Sequence, residues 1–390
     1  MALRGMLPIV LVCSFVAAAG LVFASQRVVD LTAADGTKLK ATYFSADKPG
    51  PGVLLLHQCN RQRKVWDGLA EQLAGKGMNV LTLDYRGFGE SGGVAFDKAM
   101  PQQAREAQAK WPSDIDLALE YLQAQHEVKR DVIGVGGASC GVNNSVQTAR
   151  RHPEVKTLVL LSGNTDLGGR NFLREDRNVP VFYAYADDDE FKPSITAIQW
   201  LYAITADPGK KLVQYPNGGH GADIFRVHPD LPDQIVDWYR TTLISTPGKA
   251  PVPKEKAAIP PDIAILDTLD QPGGASKVQE QLTEARKQNP NATLFDEATV
   301  NFMGYEHMQA GDLKSAREIF KLNVTAFPNS PNAYDSLGDA YVAAGQKQLA
   351  LESTKKALDL LASDSADDQQ RKDAIKASAE QKLKQLGGAN

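Results

Sequence analysis

The sequence predicts an α/β fold, a mostly parallel sheet with helices on both faces, followed by a separate all-α domain. Three observations predict it. Short β-rich runs alternate with helix-like stretches through residues 26–245. A stretch rich in Pro, Lys and Ala interrupts the pattern at 246–263 and is expected to be an extended, exposed linker. Beyond it the chain turns helical and repeats with a 34-residue period.

The chain of 390 residues is long enough for two domains, and its hydrophobic fraction of 43% is that of ordinary globular protein. At the N-terminus, Arg4 is the one charged side chain among the first 24 residues, and a largely apolar run extends from Met6 to Phe23. Val22-Phe23-Ala24 then offers small residues where a signal peptidase reads. Residues 1–24 are therefore expected to be a cleaved signal peptide, making the protein exported, periplasmic or secreted. The rival is an uncleaved membrane anchor, since the run approaches the ~20 residues that span a bilayer. A lipoprotein is disfavoured because Val12 precedes Cys13. Nothing after the signal is long and apolar enough to span. The net charge of −4 becomes −5 without Arg4, a balance that gives no reason to expect nucleic acid or an anionic membrane as partner.

Residues 26–245 carry the strands in order. Arg27–Leu31 and Lys38–Phe44 read as an antiparallel opening turned at Asp35-Gly36. Gly52–His57, Asn79–Leu83, Asp131–Val135, Thr157–Leu161, Val179–Tyr185 and Lys211–Tyr215 suit buried parallel strands. Helical stretches fall between them at Val65–Lys76, Ser113–Gln125 and Ser194–Thr205.

Gly137-Ala138-Ser139-Cys140-Gly141 matches G-x-S-x-G between a strand and a helix-like run, Val142–Arg151. Such a turn pushes its serine out above the sheet, and flanking glycines avoid collision. A serine hydroxyl needs a base, and the base an orienting acid. Both residue types follow at later strand ends: Asp187-Asp188-Asp189-Glu190 after Val179–Tyr185, and Gly218-Gly219-His220-Gly221 after Lys211–Tyr215. An acidic run after a strand, or a lone Gly-His-Gly, is commonly only a solvated loop. The order and placement of all three signals make the case.

Residues 38–243 resemble the α/β-hydrolase superfamily, nearest its dienelactone-hydrolase-like and serine-esterase branches. The resemblance implies a triad of Ser139, Asp189 and His220. Members usually carry Gly-x-x-Asp after the acid strand; that register selects Asp189, with Ala186 replacing the glycine, and leaves Asp187 and Asp188 as alternatives. The oxyanion hole is expected from the backbone N–H of Cys140 and of Gln58 or Cys59. His57 stands beside Gln58 where relatives have His-Gly, and is expected to be structural. Asp84-Tyr85-Arg86-Gly87-Phe88-Gly89-Glu90-Ser91 resembles the family's D-x-R-G-x-G-x-S loop, with a scaffolding role. Dienelactone hydrolases use cysteine at the elbow, so Ser139 weakens dienelactone as substrate. If Cys59 and Cys140 flank the oxyanion hole, a disulfide joining them is expected after export. No metal or organic cofactor is implied, and no CxxC or HExxH pattern supports zinc.

Only Ser162–Asn178 separates the sixth and seventh strands. That leaves no room for a large lid, so a fairly open pocket is expected, with at most a modest flap from Gly92–Trp111.

In residues 264–390, Gly304, Gly311 and Ala316 recur as Gly338, Gly345 and Ala350. Together with Tyr334, Leu337, Tyr341 and Ala357, and with Phe320 and Pro328 in the first copy, they resemble tetratricopeptide repeats at about 297–330 and 331–364. Helices at Ser276–Lys287 and Asp367–Leu386 are expected to cap the stack, since two repeats bury too little alone. The resemblance implies a protein partner or self-association. The readings carried forward are hydrolysis of an ester or thioester, a peptidase or acyltransferase with the same triad, and a non-catalytic scaffold. A small-molecule or peptide acyl substrate is implied.

Overall fold

The computed structural model describes residues 25–255, 257–365 and 368–387; the expected signal peptide, residues 1–24, lies outside them. The first part of the chain runs β1 (Gln26–Thr32), β2 (Lys38–Phe44), β3 (Gly50–Leu56), α1 (Asp67–Gly75), β4 (Asn79–Leu83), α2 (Pro101–Gln108), α3 (Trp111–Gln123), β5 (Val128–Ala138) and α4 (Cys140–Arg151). It continues β6 (Val155–Leu161), α5 (Leu167–Glu175), β7 (Val181–Ala186), α6 (Lys192–Ile204), β8 (Lys210–Tyr215) and α7 (Asp230–Tyr239).

One sheet holds all eight strands in the order β1-β2-β4-β3-β5-β6-β7-β8. The β1–β2 and β2–β4 pairs are antiparallel and every later pair is parallel. Strand alternation sets the two layers. On β3, Val53 and Leu55 join one core with Leu69 and Leu73 of α1 and Ile235 of α7. Leu54 and Leu56 join the other, with Ile115 of α3 and Val142 of α4. Both faces are covered, which explains the near-continuous apolar strands. This is the α/β-hydrolase fold.

The loop after β4 is built as its motif suggests. Asp84 accepts from the Arg63 and Glu90 backbone N–H groups at 2.7 and 3.1 Å and pairs with the buried Arg63 guanidinium. Gly89, at φ 53°, sits so close that a Cβ would lie 2.2 Å from the Asp84 carboxylate. Arg86 makes a bidentate pair with buried Asp114 at 2.6 and 2.7 Å and reaches Asp35 at 2.7 Å. The motif is a scaffold.

The Pro-rich stretch is largely exposed as far as Glu255, and Ala257 and Ile259 then pack on the hydrolase core. The extended run ends at Pro260, because Pro261 occupies the first turn of a helix, where its missing N–H costs nothing. The rest is all-helical: α8 (Pro261–Leu269), α9 (Gly274–Gln288), α10 (Glu297–Gln309), α11 (Leu313–Ala326), α12 (Pro331–Ala343), α13 (Lys347–Leu361) and α14 (Gln369–Gln385). Asp296, Asp312, Ser330 and Asp368 cap α10, α11, α12 and α14 through their side chains. A Cβ on Gly304 would meet the Phe320 ring at 2.6 Å, and one on Gly338 would meet Thr354 Oγ1 at 2.9 Å. The same close helix approach thus recurs one 34-residue period later.

These helices are docked on the hydrolase part. Trp200 of α6 shares one apolar cluster with Ile263, Leu266, Leu269, Val278 and Met303. Beside it lies a buried charge cluster. Arg170 of α5 makes a bidentate pair with Asp270 at 3.0 and 2.8 Å and reaches Glu306 at 2.9 Å. Arg174 pairs with Asp267 and Asp270, each at 2.7 Å, and His307 Nε2 lies 3.5 Å from Asp270. Burial pushes the Asp270 carboxyl up, but His307, Arg170 and Arg174 outweigh it and hold the group well below the usual carboxylate range. For Glu306 burial wins over Arg170, and its carboxyl is pushed up to about 7.

Candidate active site

Ser139 closes β5 and opens α4 with φ 53° and ψ −119°, a region that costs a non-glycine residue on the order of 1–3 kcal/mol. The glycines around it are required by close approach. A Cβ on Gly137 would lie 2.1 Å from the Gly141 carbonyl oxygen, and one on Gly141 2.4 Å from that of Leu56. Gly163, after β6, comes equally near: its Cβ would sit 2.4 Å from the Ser139 carbonyl oxygen. The turn is thus wedged between the ends of β3 and β6.

The three aspartates after β7 separate by partner. Asp187 accepts from the exposed Gln214 amide at 2.8 Å. Asp188 accepts from the Gly219 backbone N–H at 2.9 Å, which shapes the loop carrying the histidine. Asp189 is fully buried and lies 2.8 and 3.0 Å from His220 Nδ1. It also accepts from the Phe191 N–H at 2.8 Å and from the Ser194 hydroxyl at 2.9 Å. Burial pushes its carboxyl up, but the bonds from His220, Phe191 and Ser194 outweigh that and hold it below its ordinary value. Asp189 is thus the acid that stays ionised against an imidazole. With Nδ1 committed to Asp189, Nε2 is the ring atom without that partner, on a histidine that lines the same cavity as Ser139.

Ser139, Cys140 and His220 line one cavity of about 470 Å³. Cys140 is the first residue of α4, where a backbone N–H has no acceptor within the helix and the helix dipole favours negative charge. Gln58 and Cys59 are not among the residues lining the cavity. They are tied to it instead. Cys59 and Cys140 form a disulfide with Cα atoms 5.9 Å apart. The buried Gln58 amide donates to the His220 carbonyl at 3.2 Å and accepts from the Ala222 N–H at 2.8 Å. That latch joins residues more than 160 apart in sequence, and sequence reasoning missed it along with Ser194. A Gln where relatives have Gly was the one available signal.

His57 takes no part in the cavity. Its Nε2 accepts from the Tyr85 N–H at 3.2 Å, leaving Nδ1–H to donate to the Gln58 carbonyl at 2.8 Å. Burial drives its pKa down to about 4, so it is a neutral strut holding the loop after β3.

The cavity has a wall that the short β6–β7 connection does not predict. Leu266 of α8 and Phe302, Met303 and Glu306 of α10 form a wall of it, together with Trp200 of α6. The C-terminal helices thus supply a wall that no insertion in the sheet provides, while Ser139 and Cys140 stay half-buried. The segment expected as a flap holds α2, none of whose residues is buried, and it borders a neighbouring groove through Gln108.

Because the disulfide joins the loop after β3 to the start of α4, its removal is expected to loosen both. A Cys59→Ala/Cys140→Ala variant should lose about 2–4 kcal/mol in urea unfolding. Its kcat should fall more than its KM rises, as the donor loops drift. Stability unchanged within error would count against this role.

A family model described as "Serine aminopeptidase, S33" matches residues 47–177, less than half of the chain. An uncharacterised Mycobacterium tuberculosis protein, Rv2307c, is 29% identical over 227 residues, covering 53% of this chain and 76% of that protein. The thiohydrolase aneE of Aspergillus aculeatus is 25% identical over 134 residues, covering 34% of this chain and 39% of that enzyme. Among solved structures, the Pyrococcus furiosus esterase Pf2001 aligns with a TM-score of 0.46 at 18% identity, over 57% of this chain and 92% of that one. The matching family is one of hydrolases, and hydrolysis is the reaction class it supports.

Proposed function

We propose that the protein is an exported serine hydrolase that cleaves carboxylic esters or thioesters through an acyl-enzyme on Ser139. The observation that carries this reading is the buried Asp189–His220 pair in the wall of a cavity that also holds the strained Ser139 elbow. Ser139 Oγ attacks the carbonyl carbon as His220 Nε2 takes its proton, and His220 returns that proton to the leaving group. Water, deprotonated by the same nitrogen, then releases the acid. Asp189 fixes the ring tautomer through Nδ1 and stabilises the imidazolium. The Cys140 N–H is one oxyanion donor, and the Gln58–Cys59 loop is assigned the other.

The thiohydrolase relative supports including thioesters, and the family description supports testing peptides in parallel. The disulfide fits an oxidising compartment and hence export. A tetratricopeptide-type role for α10–α13 in binding a protein partner belongs to the same proposal, supported by the recurrence of the Gly304 and Gly338 contacts.

A fluorophosphonate probe tests the reading directly. Labelling of the full chain, absent in Ser139→Ala, is the expected result. An unlabelled wild type would favour the non-catalytic scaffold.

A further inference from the structure

Phe191 and Phe302 are 66% and 56% exposed, while every other phenylalanine among the described residues is buried or half-buried. Both line the catalytic cavity. Phe191 follows the acid loop, its ring 5.9 Å from that of His220. Phe302 stands on α10, beside Val300 and Met303, which face the helical core. Neither ring stabilises the fold by burial, and apolar surface left in water forgoes about 25 cal/mol per Å². Scattered exposed apolar residues need no explanation, but two aromatic rings at one catalytic mouth do.

The space on either side of Phe302 differs in character. On the Ser139 side, Trp200, Leu266 and Met303 give an apolar chamber. On the other side, a groove of about 850 Å³ is of mixed lining, with Asn143, Gln147, Arg150 and Asp166 beside Trp111 and Ile115. The two share Cys140, Asn164, Phe302 and Glu306, so Phe302 stands at their junction.

We propose that α10 is the specificity element of the hydrolase, and that Phe191 and Phe302 clasp the aliphatic chain of an ester or thioester whose polar remainder extends into the groove. The proposal rests on the serine-hydrolase reading. It gives the C-terminal helices a role in substrate choice: they are the cap that the sheet lacks. The chain can belong to the acyl or to the alcohol part, and the two are separable by substrate.

The test uses the full chain with p-nitrophenyl acetate, p-nitrophenyl octanoate and octyl acetate. Wild type is expected to prefer a chain-bearing ester. Octanoate preferred over acetate assigns the acyl side, and octyl acetate turned over in its place assigns the alcohol side. Phe302→Ala and Phe191→Ala should each cut that preference about tenfold, mainly through KM, the effect of losing one ring's worth of apolar contact. Phe302→Leu should restore most of it, and Leu349→Ala, exposed on α13 and outside both cavities, should leave it unchanged. A wild-type preference near one, or one untouched by either phenylalanine variant, overturns the proposal. Calorimetric binding of octanoate to Ser139→Ala separates the two readings. Octanoate bound more weakly after Phe302→Ala, with no fluorophosphonate labelling of Ser139 in wild type, supports the clasp and sinks the hydrolase. Labelling with no octanoate binding and no chain preference does the reverse.

Discussion

Ser139→Ala is expected to lower kcat by about 10⁴–10⁶-fold, with His220→Ala close to it and the double variant hardly worse than either. Non-additivity is the informative part. In the proposed mechanism Ser139 needs His220 to accept its proton, so once either is gone the other contributes little. The residual rate would come from the oxyanion donors and substrate binding. Asp189→Asn is expected to cost about 10⁴-fold, because an amide facing Nδ1 holds the ring in the wrong tautomer. Asp188→Asn should cost far less, since an amide oxygen can still accept from the Gly219 N–H. Steady-state kinetics on the preferred ester reads all five. Equal losses at Asp188 and Asp189, or multiplicative losses at Ser139 and His220, would contradict the assignment.

The parts of this molecule that were legible in sequence are those whose signals are local. Apolar runs of strand length read correctly because parallel strands buried on both faces must be apolar throughout; Asn79–Leu83 coincides with β4. Ser139, Asp189 and His220 stood out as candidates because each sits at a strand end with its own turn chemistry. The register selected Asp189 but left Asp187 and Asp188 as alternatives, because a one-residue shift changes which carboxylate reaches the ring. Only the partners in space, Gln214, Gly219 and His220, separate them.

The cavity wall was not legible. Phe302 is one apolar residue on a helix that also carries Val300 and Met303, and periodicity cannot tell a ring that faces a substrate from one that faces the core. What brings it to Ser139 is the docking of α8 and α10 on α5 and α6, through pairs such as Arg170 and Asp270, 100 residues apart. No local pattern marks such a pair. The stretch read as a tether also hid α8, since Pro260-Pro261 gives the same compositional signal whether it ends a linker or starts a helix.

If that docking holds the roof over the active site, Asp270→Ala should be among the most damaging changes outside the triad. Arg170 and Asp270 are both fully buried, and removing one partner of a buried pair leaves the other charge uncompensated, at about 3–5 kcal/mol. Arg174 retains Asp267 and His307 retains Asp312, whereas Arg170 is left with the Thr165 carbonyl at 2.8 Å, the Trp200 ring and Glu306, whose carboxyl burial already favours the neutral form. The expected result is a thermal transition that splits or moves down sharply, with trypsin cutting between 246 and 260 faster in the variant than in wild type. Turnover of a chain-bearing ester should fall with it, because Phe302 and Met303 leave the cavity with α10. Arg170→Met/Asp270→Leu discriminates the cause. Removing both charges and keeping their volume should recover most of the lost stability, whereas an electrostatic contribution that exceeds its desolvation cost would leave the double variant as unstable as the single. Wild-type stability in Asp270→Ala would mean that the apolar cluster around Trp200 holds the helices by itself, and that the buried charges set only the angle at which α10 meets the cavity.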